Sequence, residues 1–257
     1  MLVVPAEEPL TAGMSTEGIV RVGDTVRRPT GPWTPSVHAF LRHLELEGFE
    51  AAPRVLGFDN EGREILTYVH GEPAGRDALV ADEVLHEAAR LVRSLHRASA
   101  TFVPPPDARW RPPACDPGGG PIVLHGDLGG WNVIIDGARL TFIDWDEAAP
   151  GRPEWEIGYS LLSFADLWPD SDLSDVEAAR RIRTFADGYT ASKAQLDLAL
   201  ELLPQRCRWM SAGIVEQADQ GRIPAVRMRD AGTHTAWTAT AEHWDARLPT
   251  WRRLLSL

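Results

Sequence analysis

The stretch 125–146, near the middle of the chain, constrains the fold more than any other part of the sequence. Two apolar runs rich in β-branched residues lie on either side of Asp136-Gly137. An Asp-Gly pair between two such runs favours a tight β-hairpin. Asn132 immediately precedes the first run and Asp144 immediately follows the second. Pairing of the two strands therefore brings both polar side chains to the same end of the hairpin.

That end of the predicted hairpin has the chemistry of a cation site. Magnesium prefers hard oxygen ligands and keeps some positions for phosphate and water, so the amide oxygen of Asn132 and the carboxylate of Asp144 suit it. Asp127 lies five residues before Asn132 in a glycine-containing loop. Its carboxylate is then available to orient a nucleophile. The arrangement is suited to a metal-bound polyphosphate.

The string H-G-D-x-x-x-x-N, followed by a hairpin and I-D-W-D, resembles the catalytic core of the aminoglycoside phosphotransferase family. These enzymes are relatives of the protein kinases and of choline and fructosamine kinases. The resemblance implies that Asp127 is the catalytic base and that Asn132 and Asp144 are magnesium ligands. It also implies that His125 supports the loop geometry. Asp146 stands where some relatives carry a second metal-binding acid.

The same resemblance implies an α+β, protein-kinase-like fold of two lobes. Residues 1–69 would form a small antiparallel sheet with one helix, and residues 70–257 a mostly helical lobe. The segment Leu66 to Gly71 resembles the hinge between the lobes, which implies that Tyr68 and Val69 contact the nucleotide. The implied cofactors are ATP, with GTP as an alternative, and Mg²⁺.

The phosphate-binding cation is the main departure from the kinase pattern. Protein kinases use a lysine on the third strand, but the only lysine here is Lys193. An arginine must replace it, and a guanidinium can bind phosphate oxygens bidentately. The choice is between Arg27 and Arg28, and we favour Arg27 because it alternates with Thr25 and shares its strand face. The alternative is that both arginines are solvated or pair with nearby acids. Upstream, residues 12–18 occupy the place of the phosphate-covering loop without a G-x-G-x-x-G pattern.

The predicted helix that follows also departs from the family. It begins near Thr34, carries an apolar stripe at helical spacing and stops at Gly48. The family usually places a glutamate on this helix to pair with the strand cation, whereas the first acid here is Glu45, near the end. His38 is the candidate replacement. Further along, Glu156 stands where the family often has an aspartate that holds the catalytic loop.

Composition sets the outer limits on function. The net charge of −11 argues against nucleic acid as a partner, because phosphate backbones need a basic surface. No apolar run approaches the ~20 residues that span a bilayer, and no signal peptide is indicated, so we expect a cytoplasmic protein without a membrane partner. Cys115 and Cys207 are too far apart in sequence for a C-x-x-C site. A monomer or a homodimer is expected.

The predicted reaction is transfer of the γ-phosphoryl group of ATP to a hydroxyl of a small molecule. Aminoglycosides, other antibiotics, sugars and amino alcohols all remain open as acceptors. The acidic composition would suit a cationic acceptor, although acidic composition is common in soluble proteins. For such an acceptor the candidate acids in the helical lobe are Asp166, Glu216, Asp219 and Asp230.

Two other classes of function remain. The missing lysine and the missing helix glutamate are compatible with a nucleotide-binding pseudokinase or regulatory protein that has no turnover. A metal-dependent hydrolase could use the same acids.

Overall fold

A computed structural model describes residues 6–10, 18–75, 81–111 and 116–257. The stretch 12–17 of the expected phosphate-covering loop and Cys115 lie outside these residues. The described strands are β1 (Glu8–Pro9), β2 (Val20–Val22), β3 (Thr25–Arg28), β4 (Val55–Phe58), β5 (Glu64–Thr67), β6 (Glu72–Pro73), β7 (Ile122–Leu124), β8 (Val133–Asp136), β9 (Arg139–Phe142) and β10 (Ala149–Gly151). The described α-helices are α1 (Thr34–Leu46), α2 (Asp82–Ser99), α3 (Pro153–Phe164), α4 (Asp175–Tyr189), α5 (Lys193–Asp219), α6 (Ile223–Asp230) and α7 (Thr233–Leu255).

The first five strands form one antiparallel sheet in the order β1-β2-β3-β5-β4. Strands β2 and β3 are joined by the tight turn Gly23-Asp24. In the central pairing of β3 with β5, Thr25 lies opposite Thr67 and Arg28 lies opposite Glu64. The sheet therefore brings an arginine and a glutamate together near the end of β3.

Helix α1 packs its predicted apolar stripe into the core. Val37, Phe40, Leu41 and Leu44 are all buried. The chain leaves the helix at Gly48, which has the positive φ of 74° that glycine adopts without strain. Spacing of apolar residues alone was enough to predict this helix, because burial of one face stabilises it.

The stretch 125–146 contains the predicted hairpin. Strands β8 and β9 pair from Val133 opposite Phe142 to Asp136 opposite Arg139, so the turn residues are Gly137 and Ala138. The turn thus lies one residue later than the Asp-Gly pair suggested. Strand β6 pairs with β8, and β7 pairs with β10.

The helical region is built around α2, α3, α4, α5 and α7, which bury large side chains such as Trp244 and Trp251. Helix α5 continues through Pro204 without a break. None of the described helices is long and apolar enough to cross a membrane.

The architecture is the predicted protein-kinase-like α+β fold, with an antiparallel sheet and one helix followed by a mostly helical part. The lobe boundary expected at residues 69 and 70 lies between β5 and β6. As a division into domains it stays a prediction.

Candidate active site

The loop between β7 and β8 has a geometry that only glycine permits at its second position. Gly126 has a φ of +86°, and a Cβ there would lie 1.9 Å from the carbonyl oxygen of Glu147. Before it, His125 is fully buried, and its Nε2 lies 3.0 Å from the carbonyl oxygen of Ile143. Burial lowers the pKa of His125, so the neutral imidazole is favoured. This contact ties the loop to the end of β9 and suits a supporting role for the histidine.

A buried carboxylate also holds the loop between β7 and β8 in place. The backbone N–H of Gly126 donates to Glu156 Oε1 at 2.8 Å, and His96 Nε2 lies 2.9 Å from Oε2 of the same residue. The hydroxyl of Tyr189 lies 2.8 Å from His96 Nδ1 and completes the chain of contacts. Burial by itself would raise the pKa of Glu156, but the partner at His96 and the Gly126 N–H hold that pKa below its usual range. Helix α3 thus positions the catalytic loop.

Asp127 receives hydrogen bonds on both carboxylate oxygens. The Tyr159 hydroxyl donates to Oδ1 at 2.7 Å. The Asn132 side-chain amide donates to Oδ2 at 2.9 Å and to the Asp127 carbonyl oxygen at 2.8 Å. The indole N–H of Trp131 also donates to Oδ2, at 3.2 Å. These donors fix the orientation of the carboxylate that the sequence identifies as the base.

The two acids after β9 meet one arginine. Arg28 Nη2 donates to Asp144 Oδ1 at 2.7 Å and to Asp146 Oδ2 at 2.9 Å. Asp144 has the left-handed φ of 61°, which turns the chain directly after the hairpin. Burial would raise the pKa of Asp144, but Arg28 lowers it below its usual value. Burial dominates at Asp146 and raises its pKa.

The structure places Arg28, and not the favoured Arg27, beside these acids. Arg27 does share the face of Thr25, as expected, and its Nη1 donates to Thr25 Oγ1 at 2.6 Å. On that face Arg27 Nε also lies 3.8 Å from Asp59. Arg28 is therefore the arginine that meets the acids after β9, because alternation along β3 sends neighbouring side chains to opposite sides. Which of the two arginines binds phosphate stays a prediction.

A glutamate from the sheet takes the place expected for a helix glutamate. Glu64 is buried on β5, with its Oε1 3.6 Å from Arg28 Nε. Its other oxygen lies 2.8 Å from Nε2 of His38 on α1. The strand cation thus has a carboxylate partner, and His38 links that carboxylate to the helix. With three acids around it, the Arg28 pKa is raised even though burial by itself would lower it.

A second arginine contacts the acids that follow β9. Arg111 Nε lies 3.2 Å from Glu147 Oε1, and its Nη1 lies 3.7 Å from Asp146 Oδ2. Arg111 also covers the ring of Trp33 at 5.0 Å. Burial raises the pKa of Glu147 to about 8. The stretch after β9 therefore carries three acids in four residues, balanced by two arginines from distant parts of the chain.

Tyr68 and Val69 directly follow β5, at the opposite end of that strand from Glu64. The Tyr68 N–H donates to the carbonyl oxygen of Asp24 at 2.9 Å, and Arg21 covers the Tyr68 ring at 4.0 Å. Four residues along a strand correspond to about 13 Å. Tyr68 and Val69, the predicted nucleotide-binding residues, are thus separated along the sheet from Arg28 and its acidic partners.

The oxygen donors at the end of the hairpin suit a magnesium ion that is also bound by phosphate. Because the Asn132 amide nitrogen is directed at Asp127, its Oδ1 is left for a cation. Asp144 and Asp146 add carboxylate oxygens. Among the described residues, no group of three or more His, Cys, Asp or Glu side chains could hold a metal alone. The assignment of Asn132, Asp144 and Asp146 as magnesium ligands, with phosphate and water completing the site, stays a prediction.

Sequence reasoning missed four residues that contact the predicted site. Glu64 carried a signal, since it is an acid at the start of an apolar strand facing inward with Leu66. The others carried none beyond their residue type, because their contacts join distant segments. These residues are Glu64, Arg111, Trp131 and Tyr159.

Comparisons with known proteins agree with this geometry. The model of the Phosphotransferase enzyme family, APH, matches residues 107–198, which include the loop and the hairpin. The chain is also 31% identical over 254 residues to the trifolitoxin immunity protein of Rhizobium leguminosarum bv. trifolii, covering 94% of this chain and 93% of that protein. The chain belongs to the phosphotransferase enzyme family.

Solved structures show the same fold around this phosphotransferase-family site. A choline/ethanolamine kinase family protein from Mesorhizobium loti has a TM-score of 0.67 at 16% identity, covering 98% of this chain and 91% of that chain. An amicoumacin kinase, solved with AMP-PNP, Ca²⁺ and Ami, has a TM-score of 0.67 at 12% identity, covering 82% of this chain and 81% of that chain. These identities establish the shared fold and no more.

Proposed function

We propose that this phosphotransferase-family protein moves the γ-phosphoryl group of ATP, bound with Mg²⁺, to a hydroxyl of a small molecule. One observation carries the proposal. Asp127, Asn132 and the acids bound by Arg28 all lie where the catalytic loop meets the end of the hairpin. A base, a metal-binding set and a phosphate-binding cation are then adjacent, which is what phosphoryl transfer requires.

Asp127 is the proposed base. It would accept the proton of the acceptor hydroxyl as the new O–P bond forms and the bond from the γ-phosphorus to the leaving ADP oxygen breaks. Hydrogen bonds from Tyr159, Asn132 and Trp131 hold its carboxylate in place. A positioned general base contributes about 10²–10⁴-fold to a rate.

Arg28 is the proposed phosphate-binding cation, and the metal would be held by Asn132, Asp144 and Asp146. A bound Mg²⁺ neutralises charge on the phosphate oxygens. The planar guanidinium of Arg28 offers several N–H donors, so it can turn from carboxylate to phosphate oxygens without losing its charge. Glu64 and His38 keep its stem in position on the sheet. An arginine on β3 in place of the usual lysine is therefore compatible with turnover.

Tyr68 and Val69 are the proposed contacts for the nucleotide base. They lie at the opposite end of β5 from Glu64, where an extended nucleotide could run from the hinge to the hairpin. ATP is the preferred donor and GTP the alternative. Titration of each nucleotide with Mg²⁺, followed by thermal shift, distinguishes them.

The test of phosphotransfer is ADP release across a panel of hydroxyl acceptors, with a mass gain of about 80 units on the acceptor that a phosphoryl group brings. Asp127→Asn should abolish the mass gain while leaving the ATP-dependent thermal shift. The matched control is Asp136→Asn at the exposed end of the hairpin, which should retain activity. Binding of ATP without turnover on any acceptor would instead favour the pseudokinase. Phosphate release from a phosphoester without nucleotide would favour the hydrolase.

We further propose that the acceptor is an antimicrobial compound. The support is the relative named as a trifolitoxin immunity protein, which aligns along nearly the whole chain. Expression of this protein in a trifolitoxin-sensitive bacterium should raise the concentration of trifolitoxin needed to inhibit growth. The Asp127→Asn variant should give no such increase. Protection that survives Asp127→Asn would mean immunity without phosphorylation.

ATP as the donor would place the protein in the cytoplasm, and we propose that it works as a monomer or a homodimer. Fractionation of the source cells tests the first statement. Light scattering during size-exclusion chromatography tests the second.

A further inference from the structure

Four aromatic rings form a continuous cluster beside Asp127. Trp131 comes from the catalytic loop, Tyr159 from α3, Trp168 from the segment after α3, and Trp237 from α7. The ring centroids are 6.1 Å apart for Trp131 and Tyr159, and 6.2 Å apart for Trp131 and Trp168. They are 5.8 Å apart for Trp168 and Trp237, and 6.0 Å for Tyr159 and Trp237. Each ring therefore contacts two others.

The cluster begins at the proposed base itself. Both Trp131 and Tyr159 donate hydrogen bonds to the Asp127 carboxylate. Tyr159 is buried, whereas Trp131 is 46% exposed and Trp168 and Trp237 are half-buried. A large exposed indole next to the base is not needed to fill the core. The exposed surface of the cluster is therefore well placed to contact a molecule whose hydroxyl reaches Asp127.

The four candidate acids for a cationic acceptor all have contacts within the protein. Asp219 and Asp230 lie 3.0 and 3.7 Å from Arg229, so two of the candidate acids already have a cationic partner. Asp166 accepts a hydrogen bond from Ser171 at 3.1 Å. Glu216 accepts one from Gln220, at 3.4 Å. The four acids that could have bound amino groups are thus engaged within the protein.

A cation is also already bound to one of the rings. The guanidinium of Arg206 lies 3.7 Å from the centroid of the Tyr159 ring and donates to the carbonyl oxygens of Gly126 and Trp155. Trp237 stacks with that same ring. Arg206 therefore already occupies one face of the Tyr159 ring, and that face is not available to a second cation. The tryptophan surfaces are left to contact an uncharged ring.

We propose that the phosphoryl acceptor carries a flat aromatic or conjugated ring next to its hydroxyl, and that this ring lies on Trp131 with Trp168 and Trp237 beside it. This inference rests on the proposed phosphotransfer reaction. Aromatic pairs are stabilised beyond the burial of their surface, and a saturated ring lacks this additional stabilisation. Trp131 is then the residue that determines specificity for the acceptor.

The experiment measures binding separately from turnover. The probes are 2-(2-naphthyl)ethanol, its fully saturated decahydro analogue and choline, each titrated by ligand-observed NMR in the presence of a non-hydrolysable ATP analogue and Mg²⁺. We expect the naphthyl alcohol to bind about 10-fold more tightly than the saturated analogue, equivalent to about 1.4 kcal/mol. Trp131→Ala should remove this preference, and Trp131→Phe should retain part of it. The control is Trp209→Ala, which alters an exposed tryptophan on α5 and should leave the preference for the naphthyl alcohol unchanged.

Equal binding of the two alcohols, tighter binding of choline, or an unchanged preference in Trp131→Ala would each overturn the proposal. ADP release with the same probes is measured in parallel. If no acceptor is phosphorylated yet the naphthyl preference depends on Trp131, the proposed reaction fails while the binding surface stands. If an acceptor is phosphorylated but the naphthyl alcohol is not preferred, the proposed reaction stands and the aromatic binding surface is wrong.

Discussion

Arg28 on β3 donates through Nη2 to Oδ1 of Asp144, 116 residues later, at 2.7 Å. This contact joins the antiparallel sheet to the end of the catalytic hairpin. The same nitrogen reaches Asp146 at 2.9 Å, and Glu64 lies beside the guanidinium. One cation therefore balances three acids from two parts of the fold. Both stability and nucleotide binding should depend on it.

Replacing Arg28 by methionine should destabilise the protein strongly. The variant leaves three carboxylates without their buried partner, and loss of one member of a buried ion pair costs about 3–5 kcal/mol. The matched variant is Arg27→Met. The Arg27 side chain contacts Thr25 and Asp59 on the other face of the strand, so its loss should lower the free energy of unfolding by about 1 kcal/mol or less. Urea denaturation measures both. Similar losses for the two variants would contradict the assignment of Arg28.

Nucleotide binding should separate the same two arginines. In Arg28→Lys a positive charge remains, but the bidentate geometry is lost, so the affinity for Mg²⁺-ATP should fall about 10-fold, or about 1.4 kcal/mol. Arg27→Lys should leave the affinity unchanged. Isothermal titration with AMP-PNP provides the measurement. An effect on Arg27 alone would restore the interpretation from the sequence.

Tyr159→Phe removes one hydroxyl from the site and keeps the ring. The hydroxyl donates to Asp127 at 2.7 Å, so its loss should let the carboxylate reorient and lower kcat about 10-fold, with little change in the KM for ATP. The cost in stability should be about 1 kcal/mol. Tyr189→Phe, which alters a hydroxyl bound to His96, is the control for stability without direct contact to the base. An unchanged kcat in Tyr159→Phe would exclude a positioning role.

Glu156→Gln should show how the charge of Glu156 contributes to the free energy of unfolding as the pH changes. The pKa of Glu156 is lowered in the folded protein from its usual 4.5, so its charged form stabilises the fold above pH 4.5. That contribution is lost as pH falls through the lowered folded-state pKa. At pH 7 the variant should be less stable by about 3 kcal/mol, because a buried partner is removed. The gap to wild type should narrow below pH 4.5.

Urea denaturation of both proteins from pH 3 to pH 8 measures this gap. The control is Glu154→Gln, a partly exposed acid in the first turn of the same helix. A gap that stays constant over the whole pH range would show that the charge of Glu156 does not matter.

Gly126→Ala should abolish activity and destabilise the loop. Its Cβ would lie 1.9 Å from the carbonyl oxygen of Glu147, so the backbone next to Asp127 must move. The control is Gly137→Ala in the hairpin turn, where φ is also positive at +59° but no atom lies within 4 Å of the new Cβ. The control should cost only about 1 kcal/mol, from the backbone conformation alone. Activity and thermal unfolding of both variants test this.

Local spacing was enough to predict the elements that carry the site. Alternation and an Asp-Gly signal predict the β8–β9 hairpin, and the 3.6-residue period predicts α1. The positions of Asn132 and Asp144 at one end of the hairpin follow from strand pairing, and the Ile143 N–H does donate to the Asn132 carbonyl oxygen at 2.9 Å. Each of these features depends on residues that are close in sequence.

The partners of those elements could not be predicted in the same way. Alternation along β3 separates Arg27 from Arg28, but it does not say which side of the strand meets the hairpin. The pairing of β3 with β5 brought Glu64 to the arginine in place of a helix glutamate. Likewise, Pro204 lies inside α5, yet that helix continues past the proline and packs against α3 and α7.

The sequence by itself carried the motif on which the family resemblance rests, and it predicted the hairpin and the end at which Asn132 and Asp144 lie, because these features follow from short-range spacing. Only the tertiary structure decided which arginine meets Asp144 and which rings surround Asp127. Those contacts join β3 to the hairpin, α3 to the loop that carries Asp127, and α7 to α3. They depend on how whole elements pack, and burial and charge pairing between distant segments are settled only when the chain is folded.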